Sequence, residues 1–205
     1  MITSRHKDFF DRKLAPIARA VASSGVTPNQ LTVLGLALGL ASCLYLILTR
    51  NLLVFALLVL LFGLFDALDG LVARLTKQTS KFGSYLDAMC DRVFESCAVL
   101  AVAYVTGYWV PSFLVLSGAF LTSYAKARAS MEVAISNTEW PDFFERVERS
   151  VLFVGGLFLS QVFPAKFLGH DLFFWTLAFL AAATHLTVLQ RVVRARRIIR
   201  ERSTG

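Results

Sequence analysis

The sequence predicts an all-α integral membrane protein, with six transmembrane helices and an N-terminal amphipathic interfacial helix. Three observations predict it. Hydrophobic residues make up 56% of the 205 residues, above the roughly 45–50% of a soluble domain. That excess is gathered into blocks long enough to cross a bilayer, which takes about 20 apolar residues per helix. The basic residues behind the net charge of +7 cluster between alternate blocks, the pattern that orients a multi-pass protein.

The elements follow in order. Residues 4–22 carry Phe9, Phe10, Leu14, Ile17, Ala18 and Val21 at helical spacing, with Lys and Arg between them. This is the pattern of a juxtamembrane helix lying on the membrane surface, which Pro16 is expected to kink or split. Ser23-Ser24-Gly25 ends it, and Thr27-Pro28-Asn29 opens a six-helix bundle over 28–200. The spans are expected at about 30–48, 52–73, 82–105, 109–124, 147–162 and 172–189, the last continuing as the basic tail Arg191 to Arg202. No linker, low-complexity tract or repeat divides the chain, so 1–205 reads as one membrane domain.

Charge placement sets sidedness. The first helix, the turn with Lys77 and Lys81, the segment Lys126 to Arg149 and the C-terminal tail hold nearly all the Lys and Arg, while the alternate loops hold only Arg50 and Lys166. Both termini and the second and fourth connections are therefore expected on the cytoplasmic side of the cell membrane. Most of the eighteen Phe residues sit in apolar runs, so the basic excess points to membrane lipids and not to nucleic acid. Charged residues from Arg5 to Lys13 interrupt the start, so no cleavable signal peptide is expected. Cys43, Cys90 and Cys97 lie in apolar stretches without metal-ligand spacing and read as buried thiols. His185, alone in the sixth span, reads as a packed residue, and His6 and His170 receive no role. Gly35, Gly39 and Ala41 form a small-residue patch that permits close helix packing within or between protomers.

The second span ends with Asp66, Asp69, Gly70 and Ala73 within one helical arc, with Arg74 at its edge. The third begins with Gly83, Asp87 and Asp91 at i, i+4 and i+8. The short turn between them makes the two helices antiparallel neighbours, so four carboxylates face one interhelical gap. One ionised Asp in hydrocarbon costs about 2.5–3.5 kcal/mol on insertion scales. Arg74 and Arg92 supply too little positive charge for four acids. Oxygen-only ligands suit a hard divalent cation that completes its shell with substrate phosphate. Gly70 and Gly83 leave room for a ligand near the backbone. Packing against Arg and a cation or proton pathway are the competing readings of such acids.

The ordered string Asp66, Asp69-Gly70, Ala73-Arg74, Gly83, Asp87, Asp91, with fixed gaps over 26 residues, resembles the signature of the CDP-alcohol phosphotransferase family at every position. That resemblance implies a phosphoryl-linked group moved from a CDP-activated donor to an alcohol, with release of CMP. It implies two divalent cations, Mg2+ or Mn2+: Asp66, Asp69 and Asp87 would hold one, and Asp66, Asp87 and Asp91 the other. Asp91 would also be the catalytic base. Asp69, Gly70, Ala73, Arg74 and Gly83 would line the CDP site, closed by Asn29 and Thr32. A homodimer is implied as well.

Ser123, Lys126, Arg146, Arg149 and Arg191 resemble the acceptor pocket of the branch that makes phosphatidylinositol phosphate or its archaeal ether-lipid counterpart from inositol phosphate. A phosphate dianion needs several cationic donors, with Arg favoured for bidentate contact. The donor would be CDP-diacylglycerol or CDP-archaeol. Glycerol phosphate as acceptor and CDP-inositol as donor are alternatives within the family, and a cation transporter using the same acids is the alternative outside it. In that branch an acid is expected soon after Lys126-Ala127-Arg128-Ala129; here the first is Glu132. Arg194 to Arg202 read as headgroup-facing basic residues.

Overall fold

The computed structural model describes residues 2–133, 140, 144 and 146–203, with the side chains of 2–12, 64, 66 and 203 outside the description. Seven helices are described: α1 (Ile2–Ser23), α2 (Pro28–Thr49), α3 (Leu52–Leu75), α4 (Lys81–Thr106), α5 (Trp109–Glu132), α6 (Arg146–Val162) and α7 (Leu172–Ser203), with a two-residue hairpin pair β1 (Lys166–Phe167) and β2 (His170–Asp171) before α7. The all-α expectation holds. Pro16 lies inside α1 without dividing it. α5 runs eight residues past the expected end at Tyr124, and α7 is one helix from the sixth span through the basic tail.

Local chemistry fixes the ends. Thr27 caps α2 in a capping box with Gln30, and Pro28 opens the first turn. Asn51 caps α3 through the Val54 N–H, and Ser80 caps α4 through the Gly83 N–H. Gly107 closes α4 at φ 78°, a left-handed conformation that favours glycine. Beyond it, Tyr108 packs edge-on against Phe174, which stacks on His170, tying the α4–α5 turn to the hairpin. Burial and the Asp171 carboxylate push the Tyr108 phenol above its ordinary value.

α2, α3 and residues 172–202 of α7 are long and apolar enough to cross a membrane. α4 carries acids and Arg92 among its apolar residues, and α6 has 17 residues. Large apolar side chains such as Leu34, Leu48, Leu60 and Leu186 remain exposed, as a surface solvated by lipid allows. The core joins Leu46, Phe55, Phe94, Val102, Leu157, Phe173, Leu177 and Leu180. A second cluster seats Leu14 and Ala18 of α1 on Leu68, Leu71 and Val72 of α3. The apolar face of α1 is thus partly spent on the bundle.

One expectation is corrected. Among the described residues α2 packs extensively on both α3 and α4, while α3 and α4 do not pack side by side. The cause is the glycine face of α2. A Cβ on Gly39 would lie 2.7 Å from the Phe94 ring and 3.1 Å from Phe62, so only glycine lets α2 settle over this ring pair, whose centroids are 3.9 Å apart. α3 and α4 therefore meet through aromatic side chains, leaving an interhelical gap at their acidic ends. Gly39→Ala should cost about 1–3 kcal/mol by overpacking. This corresponds to roughly 3–10 °C in the thermal midpoint of the detergent-solubilised protein. An unchanged midpoint would remove this explanation of the gap.

Candidate active site

The gap is bordered by residues from three helices. Thr32 of α2, Asp69 of α3 and Asp87 and Asp91 of α4 line one narrow cleft, together with Phe62 and Phe65. The Thr32 hydroxyl donates to Asp69 Oδ2 at 2.6 Å, fixing that carboxylate from α2. Asp69 and Asp91 are buried and Asp87 is half-buried. Asp66 lies on the same arc of α3, one turn before Asp69, and its side chain is outside the described residues. Asn29 meets the foot of α4: a Cβ on Gly83 would lie 3.1 Å from Asn29 Oδ1 and 3.1 Å from Ser80 Oγ. Gly70 is more open, with Arg74 Nη1 3.5 Å from the corresponding position. Ala73 is half-buried and Arg74 exposed at the rim. Of the donor-side residues singled out from the sequence, Thr32, Asp69, Asp87 and Asp91 line this cleft, while Asn29 and Gly83 meet at the foot of α4 and Gly70, Ala73 and Arg74 lie further along α3.

Among the described residues no three acidic, His or Cys side chains form a ready metal cage. The donor set nonetheless fits hard cations. Asp69, Asp87 and Asp91 bring only oxygen donors to the cleft, which favours magnesium or manganese with substrate oxygens completing the shell.

Asp91 and Phe62 also border a second space, a cavity of about 320 Å³ between α3, α4 and α6. Its polar end carries Asp91, Glu95, Arg146 and Arg149, and its walls include Val59, Val99, Val151 and Val154. Asp91 therefore stands at the junction of the two spaces. Both Asp91 oxygens accept from the Arg146 guanidinium. The bidentate pair makes a buried carboxylate tolerable in the apolar interior. Glu145, adjacent to Arg146 in sequence, lies outside the described residues.

The remaining cations converge on α5. Arg149 Nη1 donates to Thr122 Oγ1 at 3.2 Å, and Arg191 donates to the Thr122 carbonyl. Arg92 Nη1 donates to Ser123 Oγ at 3.2 Å and pairs with Glu95 at 2.6 Å. Lys126 is half-buried one turn beyond Ser123. Of the five residues expected for the acceptor, Ser123, Arg149 and Arg191 thus share one network, and Arg146 reaches instead to the neighbouring acid. Arg128 and Glu132 pair with each other at 2.5 Å with half-exposed side chains, so Glu132 serves a surface pair. Arg194 stacks over the buried Trp140 at 5.8 Å, which adds a packing role to its basic-tail assignment. His185 bonds the Ala181 carbonyl at 2.9 Å, as a packed residue does.

Sequence reasoning missed Glu95 and Thr122, and it gave Arg92 only a charge-balancing role. A signal for Glu95 was present: it lies four residues after Asp91 and so continues the Asp87–Asp91 stripe.

Comparison with known proteins identifies relatives of the chain and of its fold. The family model described as CDP-alcohol phosphatidyltransferase matches residues 25–189. The chain is 35% identical over 187 residues to the archaetidylinositol phosphate synthase of Pyrococcus horikoshii, covering 90% of this chain and 91% of that one. The fold is similar to the crystal structure of Mycobacterium tuberculosis phosphatidylinositol phosphate synthase with CDP-DAG bound, with TM-score 0.79, 28% identity and coverage of 90% and 94%. It is also similar to that synthase in complex with manganese and citrate, with TM-score 0.77, 28% identity and coverage of 88% and 87%.

Proposed function

From the premise that this chain belongs to the CDP-alcohol phosphatidyltransferase family, we propose that it transfers a phosphatidyl-type group from a CDP-linked lipid to a hydroxyl of inositol phosphate, releasing CMP. Membership makes it a transferase of phospholipid biosynthesis and sets aside the cation-transporter reading of its acids. The observation that carries the acceptor assignment is the position of Asp91, between the acidic cleft and a cavity whose polar end is built from arginines. The similarity to synthases that make inositol phosphate lipids supports the same acceptor.

In this reading Asn29, Thr32, Asp69, Gly70, Ala73, Arg74 and Gly83 bind the CDP moiety. Asp66, Asp69, Asp87 and Asp91 would hold two divalent cations, Mg2+ or Mn2+. When bound, such cations neutralise the donor's diphosphate and the charge on departing CMP. The acceptor hydroxyl oxygen bonds to the donor's β-phosphorus as the bond from that phosphorus to the bridging oxygen breaks. The electron pair leaves with CMP, and the hydroxyl proton passes to the Asp91 carboxylate. Both Asp91 oxygens accept from Arg146, and the acceptor's phosphate is an anion that competes for that guanidinium. Ser123, Lys126, Arg149 and Arg191 complete the acceptor phosphate site.

The positive-inside distribution supports both termini and the site on the cytoplasmic side, with six spans formed by α2 to α7 and α1 at the interface. The homodimer rests on family likeness, since Gly35 and Gly39 are used for packing inside the protomer. Metal removal tests the reaction. CMP release from CDP-diacylglycerol and inositol phosphate should fall to background in excess EDTA and return with Mg2+ or Mn2+. Full release in the chelator would contradict the role given to the four aspartates.

A further inference from the structure

We infer that the acceptor-phosphate site extends to Arg92, and that Glu95 is the positioning residue that holds Arg92 and Arg149 toward it. The inference rests on the acceptor-pocket reading above. Guanidinium groups from three helices, α4, α6 and α7, meet at two adjacent residues of α5, Thr122 and Ser123. A guanidinium has five N–H donors, and the Nη contact of Arg149 with Thr122 leaves its Nε–H for a further ligand. Arg149 is 7% exposed, and its Nε has no hydrogen-bond partner among the described residues. A buried, unsatisfied donor on a charged group is costly. At the polar end of a cavity it marks a place for an acceptor oxygen.

Among the described residues Glu95 is the one carboxylate besides Asp91 that lines the cavity. It reaches Arg92 at 2.6 Å on its own helix and Arg149 at 4.0 Å on α6. The Arg92 contact is an ion pair without hydrogen-bond alignment, so it balances charge more than it satisfies N–H groups. A decorative helix-surface pair would involve two exposed residues of one helix. Here both side chains are about four-fifths buried and the carboxylate also faces a second helix. Among the described residues Arg92, Arg146, Arg149, Arg191 and Lys126 outnumber Asp91 and Glu95, a positive excess that a phosphate monoester, at roughly −1.5 to −2 at neutral pH, would offset. Glu95 cannot itself bind that anion. It keeps mutually repelling guanidiniums at close quarters until the phosphate arrives.

The test uses steady-state CMP release by the purified full chain, varying inositol phosphate and CDP-diacylglycerol separately. Arg92→Gln should raise the acceptor KM about tenfold, the equivalent of one charge-assisted hydrogen bond, with the donor KM within about twofold. Glu95→Gln should move the acceptor KM in the same direction, and Glu95→Asp, which keeps the charge, should recover part of the loss. Because Glu95 acts through Arg92, the double variant should be less impaired than the product of the two single effects. Arg92→Lys, a milder change, should raise the acceptor KM by a smaller factor and serves if Arg92→Gln does not fold. Unchanged acceptor KM in the Arg92 and Glu95 variants, beside a raised value in Arg149→Ala, would overturn this inference alone. Unchanged acceptor KM in Arg149→Ala as well would remove the pocket reading beneath it. Equal increases in donor and acceptor KM would show general disruption and would also overturn the inference.

Discussion

Asp91→Asn is expected to reduce CMP release by roughly 10³-fold or more, within or beyond the usual contribution of a general base, while the protein still binds CDP-diacylglycerol. The amide keeps the size of the side chain but cannot take the acceptor's proton. It also cannot balance Arg146, which in the wild-type protein bonds both Asp91 oxygens. Donor affinity, measured by calorimetry, should change far less than turnover, because Thr32 of α2 and Asp69 of α3 stay in place across the cleft and Gly83 lies two turns earlier on α4. Turnover near wild type would show that Asp91 is neither base nor essential ligand. Loss of donor binding in step with turnover would show that the substitution had collapsed the cleft.

Arg149→Ala is expected to raise the KM for inositol phosphate by about 10- to 100-fold, the value of a charge-assisted hydrogen bond or two, with a much smaller effect on the donor KM. Lys126→Ala should act in the same direction. Arg149 is buried, bonded to Thr122 and close to Glu95, so its removal also leaves Glu95 more dependent on Arg92. Arg149→Lys restores the charge but not the planar fork, and it should recover only part of the affinity. Equal increases in both KM values would place Arg149 in the bundle's packing and outside the acceptor site.

The donor side was legible because helical periodicity alone aligns it. Asp66 and Asp69 share an arc of α3, and Asp87 and Asp91 share a stripe of α4, whatever the rest of the chain does. Some helix ends carry a local signal, since Thr27, Asn51, Ser80 and Gly107 each mark a terminus with their own backbone chemistry, whereas the end of α5 at Glu132 lies eight residues past the one expected. Helix neighbours were not. The short turn from Thr76 to Ser80 implied direct packing of α3 on α4, yet Gly39 admits the Phe62–Phe94 pair and draws α2 against both. That outcome depends on side-chain volumes from three separate segments. The Arg146–Asp91 pair spans 55 positions in sequence, and no local spacing announces it. Thr122 was overlooked because a hydroxyl inside an apolar helix ordinarily bonds its own backbone, which it also does here at Gly118 and Ala119. Its further role as a landing point for Arg149 and Arg191 exists only once α7 has packed on α5 and α6 on α7.

The most direct measurement of the central claim is the lipid product formed by purified protein from CDP-diacylglycerol, Mg2+ or Mn2+, and one acceptor at a time. The reading predicts CMP release and a phosphatidylinositol phosphate product, identified by mass, with inositol phosphate, and neither with glycerol phosphate, serine or free inositol. A phosphatidylglycerophosphate product with glycerol phosphate, and none with inositol phosphate, would contradict the acceptor assigned to the arginine-lined cavity while leaving the chemistry of the acidic cleft in place.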